Sequence, residues 1–435
     1  MAAPILQRGR APILSILKKS RLLTKLARDL LNAYLRAGYR RYMRRNPTEP
    51  KTILFEAYMG RSYACHPKAI YQDLLADPAF DEYRFIWAFD NPEKYADDPR
   101  FARAELVVSG SPAYRAACAR AAVWVTNSRM PEYLVVKPDQ TYLQGWHGTP
   151  YKRLGADIAI DTDNAMNSTK DLARRYARDA ARFTWLVSPS PFTTDKFRSA
   201  FSLDAQGKTD IILEYGYPRN DYLCTVSAQQ IIETKQRLGL PQEKNILLYA
   251  PTWRDDMHDS ASGYYYRSSL DFHQLHETLG DQWLVLFRAH YFITNSFDFA
   301  SLDGFVRNVT DVDDINDLFV VSDVLVTDYS SVFFDYANLY RPIIFYMYDK
   351  DHYQTGVRDT YLSTNELPGK ITETQDEFLS ALREIPEVRG EIREGLARFN
   401  RRFNPYSDGL ATRRVIDRVW HGIDPGPTRP KGHDA

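Results

Sequence analysis

The chain lacks most of the features that mark secreted, disulfide-stabilised or membrane-spanning proteins. Its 435 residues include only three cysteines, Cys65, Cys118 and Cys224, which are far apart and form no CxxC pair. This excludes a disulfide framework and favours a reducing compartment. No run approaches the roughly 20 apolar residues that a membrane-spanning helix needs. Lys or Arg interrupts the first apolar stretches every few positions, so we expect neither a signal peptide nor a transmembrane segment.

The chain also has no net charge, because 56 Lys and Arg residues balance 56 Asp and Glu residues. No overall positive field therefore indicates a nucleic-acid partner. The balance hides an asymmetry: residues 1–46 contain twelve cations and one acid, Asp29, for a net charge of +11. The rest of the chain must carry −11. A basic end on an acidic body indicates a charged partner for that end alone.

Apolar residues between positions 13 and 35 recur at helical spacing. They are Ile13, Ile16, Leu17, Leu23, Leu26, Leu30 and Tyr34, and Lys and Arg residues largely occupy the other face. Such a helix can rest its leucines at the acyl boundary of a bilayer while its cations meet anionic lipid. The alternative is a helix that packs on the body of the protein and leaves its basic face in water. We predict the first of these, with Pro47 and Pro50 separating the helix from the body.

Beyond residue 51, apolar runs of strand length alternate with helical patterns, which predicts an α/β protein with parallel sheets. One series of candidate strands runs from residue 52 to 214 and a second from 246 to 345. Two such series predict two Rossmann-like domains that face a cleft. The expected organisation is a basic amphipathic membrane-association segment, two domains, closing helices and a disordered tail, at 1–46, 51–228, 240–372, 373–421 and 422–435.

Several common catalytic motifs are absent. The chain contains no GxGxxG, no Walker A and no GxSxG sequence. His273 and His276 are three positions apart near Asp271, but no set of Cys, His or Glu partners accompanies them. We interpret them as surface helix residues and expect no dedicated metal site.

A His-containing turn follows the candidate strand 141–143. The sequence Gln144-Gly-Trp-His-Gly-Thr-Pro-Tyr-Lys-Arg-Leu-Gly155 places glycines on both sides of Trp146 and His147. Glycines let the backbone or a ligand approach closely, and Lys152 and Arg153 supply positive charge nearby. His147 in this setting suits a general base acting on a substrate hydroxyl. A buried histidine satisfied by the backbone of a tight turn is the equally weighted alternative.

Three further motifs follow candidate strands. Arg219 and Asn220 lie in Gly-Tyr-Pro-Arg-Asn-Asp, Arg254 in Ala-Pro-Thr-Trp-Arg, and Arg288 and His290 in Arg-Ala-His. Ligands bind to α/β sheets at the carboxyl ends of strands. Arg288 and His290, two positions apart, share one face and form a compact anion-binding pair. Each motif alone is also compatible with an ordinary turn.

The last motif is Thr-Asp-Tyr-Ser-Ser at 327–331, between a hydrophobic strand and a predicted helix. Asp328 or Ser330 is expected to cap that helix, and its free N–H groups would form an anion site. Ser330 and Ser331 add hydroxyl donors, and Asp335 lies on the same helix face as Ser331. A plain helix cap is the simpler alternative.

Together, in this order and spacing, the five motifs resemble the CDP-glycerol glycerophosphotransferase family, the teichoic acid polymerases and primases. The resemblance covers roughly residues 50–420. It implies a GT-B fold with the active site between two Rossmann-like domains, a CDP-activated polyol phosphate donor held by the second domain, and membrane association. It implies no need for a cofactor or a catalytic metal. The expected location is the cytoplasmic face of the cell membrane, with a lipid-linked acceptor.

The resemblance also implies roles for the motif residues. His147 would take the proton from the acceptor hydroxyl. Asp335 would bind ribose or pack inside, and Asp328 could serve only as a cap. Donor or phosphate binding is implied for Arg219, Asn220, Arg254, Arg288, His290, Asp328, Ser330, Ser331 and Asp335.

Two other functions stay open at this point. The first is a GT-B glycosyltransferase that uses a nucleotide-sugar and a membrane acceptor, since one fold serves many sites. The second is a membrane-attached scaffold with a degenerate site, against which the complete set of motif residues argues. The sequence separates neither glycerol from ribitol donors nor a polymerase from a primase.

Overall fold

The computed structural model describes residues 21–159, 168–252, 258–259, 263–264, 270–288, 299–350 and 359–426. Within these ranges the chain forms two parallel β-sheets, one after the other in sequence, with helices around them. The arrangement confirms the predicted α/β class with two parallel sheets. The predicted domain limits stay predictions.

The first sheet has seven strands in the order β3-β2-β1-β4-β5-β6-β7, all parallel. Helices cover both of its faces, so Leu54 packs into one core while its neighbours Ile53 and Phe55 pack into another. Chain order reverses where β1 lies beside β4, and ligands bind at the carboxyl ends of strands at such a point. The strands are β1 (Glu49–Glu56), β2 (Arg84–Phe89), β3 (Ala104–Val108), β4 (Ala121–Thr126), β5 (Thr141–Gln144), β6 (Trp185–Ser188) and β7 (Ile212–Glu214).

The second sheet has six parallel strands in the order β12-β11-β8-β13-β14-β15. A separate antiparallel pair is formed by β9 and β10. The strands are β8 (Asn245–Ala250), β9 (His258–Asp259), β10 (Gly263–Tyr264), β11 (Trp283–Phe287), β12 (Val306–Asn308), β13 (Val324–Thr327), β14 (Ile343–Tyr346) and β15 (Lys370–Thr372). All twelve predicted strands are present. Only β9, β10 and β15 had no predicted counterpart, because two or three residues are too few to show a period.

Thirteen α-helices lie within the described residues. Their ends follow local capping chemistry: α3 has Ser111 as its N-cap and Pro112 at its first position, and Ser227 and Gln230 form a capping box at α7. The helices are α1 (Arg21–Arg45), α2 (Cys65–Ala76), α3 (Pro112–Arg120), α4 (Thr169–Ala180), α5 (Pro191–Ala200), α6 (Asp221–Thr225), α7 (Ala228–Arg237), α8 (Phe272–Leu279), α9 (Ile315–Val321), α10 (Val332–Tyr336), α11 (Gln375–Glu384), α12 (Arg389–Phe403) and α13 (Ala411–His421).

Helix α1 differs from the predicted separate amino-terminal helix. Residues 1–20 lie outside the described residues, and the helix continues ten residues beyond the predicted end at 35. Its carboxyl-terminal half packs on the first sheet's core, where Tyr39 is fully buried and Tyr42 and Met43 are partly buried. The half before it leaves Leu30 and Tyr34 exposed. The proline-marked break therefore does not separate α1 from the body, because apolar residues after Tyr34 belong to the core.

Helix α13 returns from the second half of the chain to the first sheet. Val415 and Ile416 are buried in the core of that sheet, and Nε of Arg414 donates to the carbonyl oxygen of Tyr215 at 3.0 Å. The start of the predicted disordered tail also contacts the body, since Tyr215 donates its hydroxyl to Asp424 at 2.5 Å. Residues 427–435 lie outside the described residues.

Candidate active site

His147 lies in the turn that follows β5, at the carboxyl edge of the first sheet. The backbone N–H of Trp146 donates to Oε1 of Gln144 at 2.8 Å, and Gly145 donates to the carbonyl of Thr126 at 2.7 Å. Trp146 has φ +54°, a left-handed conformation that a bulky residue adopts only when its surroundings impose it. These bonds fix a tight turn in which the His147 side chain is accessible to solvent.

The His147 imidazole is oriented by the end of strand β4. Its Nδ1 lies 3.1 Å from the main-chain oxygen of Asn127. A carbonyl can only accept, so Nδ1 carries the proton and Nε2 holds the lone pair. The residue is accessible to solvent, but desolvation by the protein around its ring still lowers the pKa of His147 to about 4. The bond to Asn127 opposes the shift, and the positive charges of Arg219 and Arg129 add to it.

Asn127 and Tyr58 are site residues that the sequence analysis missed. The side-chain oxygen of Asn127 accepts the backbone N–H of Tyr58 at 2.7 Å. This bond helps hold three consecutive left-handed residues after β1, since φ is +50° at Tyr58, +61° at Met59 and +92° at Gly60. The Tyr58 ring lies 6.4 Å from that of His147. Strain of this kind gathers at functional sites, but Ala-Tyr-Met-Gly carries no sequence signal for it.

The segment after His147 joins the second half of the molecule. A Cβ on Gly148 would lie 3.0 Å from the hydroxyl oxygen of Ser331, so the His147 turn meets the loop after β13. Tyr151 packs edge-on against Phe333, with ring centroids 5.3 Å apart. The backbone of Lys152 forms an isolated antiparallel β-bridge with that of Thr360, in the second half of the chain. The structure thus brings together the first and the last of the five motifs, which are about 180 residues apart in sequence.

Arg219, Asn220 and Asp335 form a buried network between the two halves. Nη2 of Arg219 donates to both carboxylate oxygens of Asp335 at 2.9 Å. Nδ2 of Asn220 donates to Asp335 at 3.0 Å, and Asn316 donates to the carbonyl of Arg219 at 2.6 Å. All four residues are less than 10% exposed. Of the two alternatives for Asp335, ribose binding and interior packing, the structure shows the carboxylate buried and bonded to two residues of the first half of the chain.

His66 connects this network to the His147 turn. Nη1 of Arg219 lies 3.2 Å from Nε2 of His66, and the His66 ring packs directly on Gly145. His66 is fully buried, and burial lowers its pKa well below the usual value, with the charges of Arg219 and His147 adding to the effect. Gly145 is required here because a Cβ would lie 2.7 Å from the His66 ring.

Asp328 and the two serines follow β13. Asp328 is buried, and its Oδ1 accepts the backbone N–H groups of Tyr329 at 2.6 Å and Thr252 at 2.8 Å. It thereby ties the ends of β13 and β8 together. The expected cap by Asp328 or Ser330 is wrong: α10 begins after Ser331, which makes no side-chain cap bond. The reason is that the Asp328 carboxylate is engaged by two amides that precede the helix.

Arg288 lies at the end of β11, next to the first sheet's strained loop. Its Nη1 donates to the carbonyls of Val309 at 3.1 Å and Val312 at 2.7 Å. Desolvation lowers the pKa of its guanidinium, and the nearby Tyr58 and Asp314 oppose this shift. Arg254 and His290 lie outside the described residues, so their predicted placement is not addressed.

No arrangement of three or more His, Cys, Asp or Glu side chains within the described ranges is suited to a metal ion. His273 and His276 lie on α8, whose N-cap Asp271 accepts the backbone N–H of His273. Among the described helices, none combines the length and apolar character that crossing a bilayer would require.

Comparison with known proteins then identifies the family. Residues 39–421 match the model of the CDP-glycerol:poly(glycerophosphate) glycerophosphotransferase family. The chain belongs to this family. The match includes the His147 turn, the Arg219–Asp335 network and the Ser330–Ser331 loop, and it begins at Tyr39, which is fully buried on α1.

Several glycerophosphotransferase relatives are similar along most of the chain. A teichoic acid poly(glycerol phosphate) polymerase of Staphylococcus epidermidis is 38% identical over 86% of this chain and 51% of its own length. The corresponding Bacillus subtilis polymerase is 34% identical over 93% and 54%. The chain thus spans about half the length of these two polymerases. A teichoic acid glycerol-phosphate transferase of Staphylococcus aureus is 36% identical over 85% of this chain and 92% of its own.

A solved structure of the wall teichoic acid polymerase TagF shows the same fold. It has a TM-score of 0.81 and 35% identity, and covers 94% of this chain and 98% of the TagF chain. The predicted two-domain GT-B-type architecture is consistent with this likeness.

Proposed function

We propose that this glycerophosphotransferase family member moves glycerol phosphate, or a related polyol phosphate, from CDP-glycerol to a hydroxyl of a lipid-linked acceptor and releases CMP. The observation that carries the proposal is the meeting of the His147 turn with the Ser331 loop. This contact brings Gly148, the residue after His147, within 3.0 Å (measured from a Cβ placed on it) of the Ser331 hydroxyl. Family membership and the relatives' names support glycerol phosphate as the transferred group.

In the proposed reaction His147 is the general base. Its Nε2 lone pair takes the proton of the acceptor hydroxyl, and the acceptor oxygen bonds to the phosphorus that carries glycerol. The bond from that phosphorus to the bridging oxygen breaks, and CMP leaves with the electron pair. Because the pKa of His147 is about 4, its base form is present at neutral pH. Most of the remaining catalysis is positioning and charge stabilisation.

The donor is proposed to lie on the second sheet's side of the site. Ser330 and Ser331 are half-buried in the loop after β13 and have hydroxyls that can donate to phosphate oxygens. The guanidinium of Arg288 lies at the end of β11, where it donates to the carbonyl of Val312. His290 and Arg254, which lie outside the described residues, remain proposed partners for the phosphates.

Arg219, Asn220 and Asp335 are proposed to act on the donor indirectly. The Arg219 guanidinium and the Asn220 amide bind the Asp335 carboxylate, and all three are buried. They hold the two halves of the site in register. Asp328 ties the ends of β13 and β8 together through the backbone N–H of Thr252.

Membrane association is proposed for the exposed half of α1. Leu26, Leu30, Leu31 and Tyr34 are each more than half exposed, although large apolar side chains are normally covered in a water-soluble protein. Lys and Arg residues flank them along the chain. This arrangement suits a helix lying on an anionic membrane surface, which we propose is the cytoplasmic face of the cell membrane.

The test is incubation of the full chain with CDP-glycerol, CDP-ribitol and a UDP-sugar in the presence of membranes, followed by nucleotide and product mass analysis. CMP release from a CDP-polyol with a mass gain of one polyol phosphate supports the proposal. Turnover of the UDP-sugar alone would establish the glycosyltransferase alternative. The pattern of mass gains also separates single from repeated transfer.

A further inference from the structure

The loop after β1, from Tyr58 to Gly60, keeps a strained backbone beside the proposed base. Left-handed conformations at residues other than glycine are uncommon, and they persist only where the surroundings impose them. Besides the bond from Tyr58 to Asn127, the N–H of Gly60 donates to the carbonyl of Ala57 at 2.9 Å, and the carbonyl of Gly60 accepts from the N–H of Asp90 at 2.8 Å. Several contacts thus hold a backbone conformation that these residues would not adopt alone.

This conformation gives two neighbouring side chains different surroundings. The side chain of Met59 is 42% exposed. That of Tyr58 is surrounded by protein, and the desolvation raises the pKa of its hydroxyl well above the ordinary value. The Tyr58 hydroxyl therefore stays protonated and neutral at every working pH.

On the side of the first sheet, Tyr58 lies between the proposed base and the buried network. Its ring is 6.4 Å from the His147 ring, with the two planes tilted by 59°. Its hydroxyl interacts with the Cys65 thiol and with Arg219. Nη1 of Arg219 donates to Sγ of Cys65 at 3.6 Å, and Nη2 of the same guanidinium binds Asp335. Tyr58 is thus connected to the residues that join the two halves.

On the side of the second sheet, Tyr58 lies near Arg288. After desolvation, Tyr58 has the largest influence on the charge of the Arg288 guanidinium. Asp314 lies near both residues, and Nζ of Lys68 lies 2.7 Å from its carboxylate. Arg288 donates to the carbonyl of Val312, two residues before Asp314. The loop between β12 and α9 therefore reaches Tyr58 from the second half of the molecule.

We propose that Tyr58 is a positioning residue, whose ring supports the His147 imidazole and whose hydroxyl sets the Arg288 guanidinium against the pyrophosphate of CDP-glycerol. The inference rests on the proposed function, which takes His147 as the base and Arg288 as a cation for the donor. An in-line displacement needs a fixed separation between the base and the phosphorus, and a misplacement of about 1 Å can cost about 100-fold in rate.

A tyrosine suits this place for an electrostatic reason. Its hydroxyl oxygen can accept from a guanidinium N–H without adding a negative charge. A carboxylate at the same position would offset the charge of Arg288 and repel the phosphates of the donor.

The experiment compares the wild type with Tyr58→Phe, which keeps the ring and removes the hydroxyl. We expect the KM for CDP-glycerol to rise about 3–10-fold, the range for the loss of one hydroxyl contact. The kcat should change less than about 2-fold, because the ring still supports His147. The acidic limb of the pH profile should not move, since the lost group is neutral. A residue with a merely structural role would lower the melting temperature without this separation of KM from kcat.

Two further variants separate the ring from the backbone of the loop. Tyr58→Asn removes the ring but tolerates the left-handed conformation, and it should lower kcat about 10–100-fold in addition to raising the KM. The matched control is Met59→Asn, at the next left-handed position, where the side chain is exposed. It should leave both kcat and KM unchanged. Thermal melts identify any variant that fails to fold, and Tyr58→Phe decides the matter if Tyr58→Asn does so.

Direct binding of CDP-glycerol, measured by calorimetry without acceptor, separates this inference from the proposed function. If the wild type binds CDP-glycerol more tightly than Tyr58→Phe but releases no CMP with any acceptor, the proposed transfer fails and the role of Tyr58 on the donor side stands. Equal binding by Tyr58→Phe and the wild type overturns the inference. An equal loss of binding in Met59→Asn also overturns it, since the backbone of the loop would then be the cause. Absence of binding by the wild type overturns both proposals.

Discussion

Nδ1 of His147 lies 3.1 Å from the main-chain oxygen of Asn127, and the Asn127 side chain holds the backbone of Tyr58 at 2.7 Å. One residue at the end of β4 therefore orients the proposed base and fixes the strained loop beside it. The tautomer of the proposed base is therefore set by a main-chain carbonyl and not by a carboxylate.

The pH dependence of the reaction should report the low pKa of His147. Desolvation lowers it to about 4, so the imidazole is protonated only below that pH and the base form persists above it. We expect the acidic limb of kcat/KM for the free enzyme to have its midpoint well below 6.5, the ordinary value. His147→Ala should lose about 10²–10⁴-fold in turnover while its melting temperature changes little. A limb centred near 6.5, or near-wild-type CMP release by a folded His147→Ala variant, would contradict the assignment.

Two substitutions at Asn127 should have different signatures. Asn127→Ala frees the N–H of Tyr58 and should lower kcat about 10–100-fold, the equivalent of one lost buried hydrogen bond, without moving the acidic limb. Asn127→Asp keeps an acceptor for Tyr58 and adds a negative charge near His147. That charge favours the imidazolium, so the acidic limb should move to higher pH. Identical pH profiles for the two variants would exclude this role for Asn127.

Breaking the Arg219–Asp335 pair should destabilise the protein strongly. Arg219→Met leaves the Asp335 carboxylate buried without its partner and should cost about 3–5 kcal/mol in urea unfolding. Adding Asp335→Leu should recover part of that loss. Arg413→Met is the control: its more exposed ion pairs with Asp77 and Asp417 should together be worth about 0–1 kcal/mol. Equal losses at the two sites would show that burial is not the cause.

Gly145→Ala should disturb the His147 turn. The added methyl would lie 2.7 Å from the His66 ring, so the turn or the ring must move. We expect a loss of about 1–3 kcal/mol in stability and reduced turnover. Gly38→Ala, in the interior of α1 with nothing within 4 Å, should instead add about 0.5–1 kcal/mol. Unchanged stability and turnover in Gly145→Ala would contradict this prediction, because they would show that the His66 ring can move aside without cost.

Two truncations should separate the halves of α1. Deleting residues 1–34 removes the exposed Leu26, Leu30 and Leu31 and should weaken co-sedimentation with anionic vesicles, with the fold intact. Deleting residues 1–46 also removes the fully buried Tyr39 and should lower the melting temperature. Undiminished vesicle binding by the shorter deletion would rule out α1 as the membrane contact. Equal melting temperatures would show that Tyr39 contributes nothing to the core.

The sequence by itself determined the local elements and the chemistry available. Twelve strands were predicted because fully buried parallel strands read as continuous apolar runs, and the five motifs follow such strands directly. His147 was recognised because glycines and cations surround it in sequence. Short strands such as β15 escaped prediction because three residues carry no period.

Only the tertiary structure decided which of these residues meet. The pairing of Arg219 with Asp335 spans 116 positions, and no local pattern shows that a guanidinium from one half is bonded to a carboxylate from the other. Asp328 was predicted to cap a helix, but long-range contact with Thr252 decided its role. Tyr34 and Tyr39 lie on the same helix, yet Tyr34 is exposed while packing against Tyr133 and α3 buries Tyr39. Helical or strand periodicity in the sequence shows which face of an element is apolar. It does not show which other element covers that face, and burial and pairing depend on that contact.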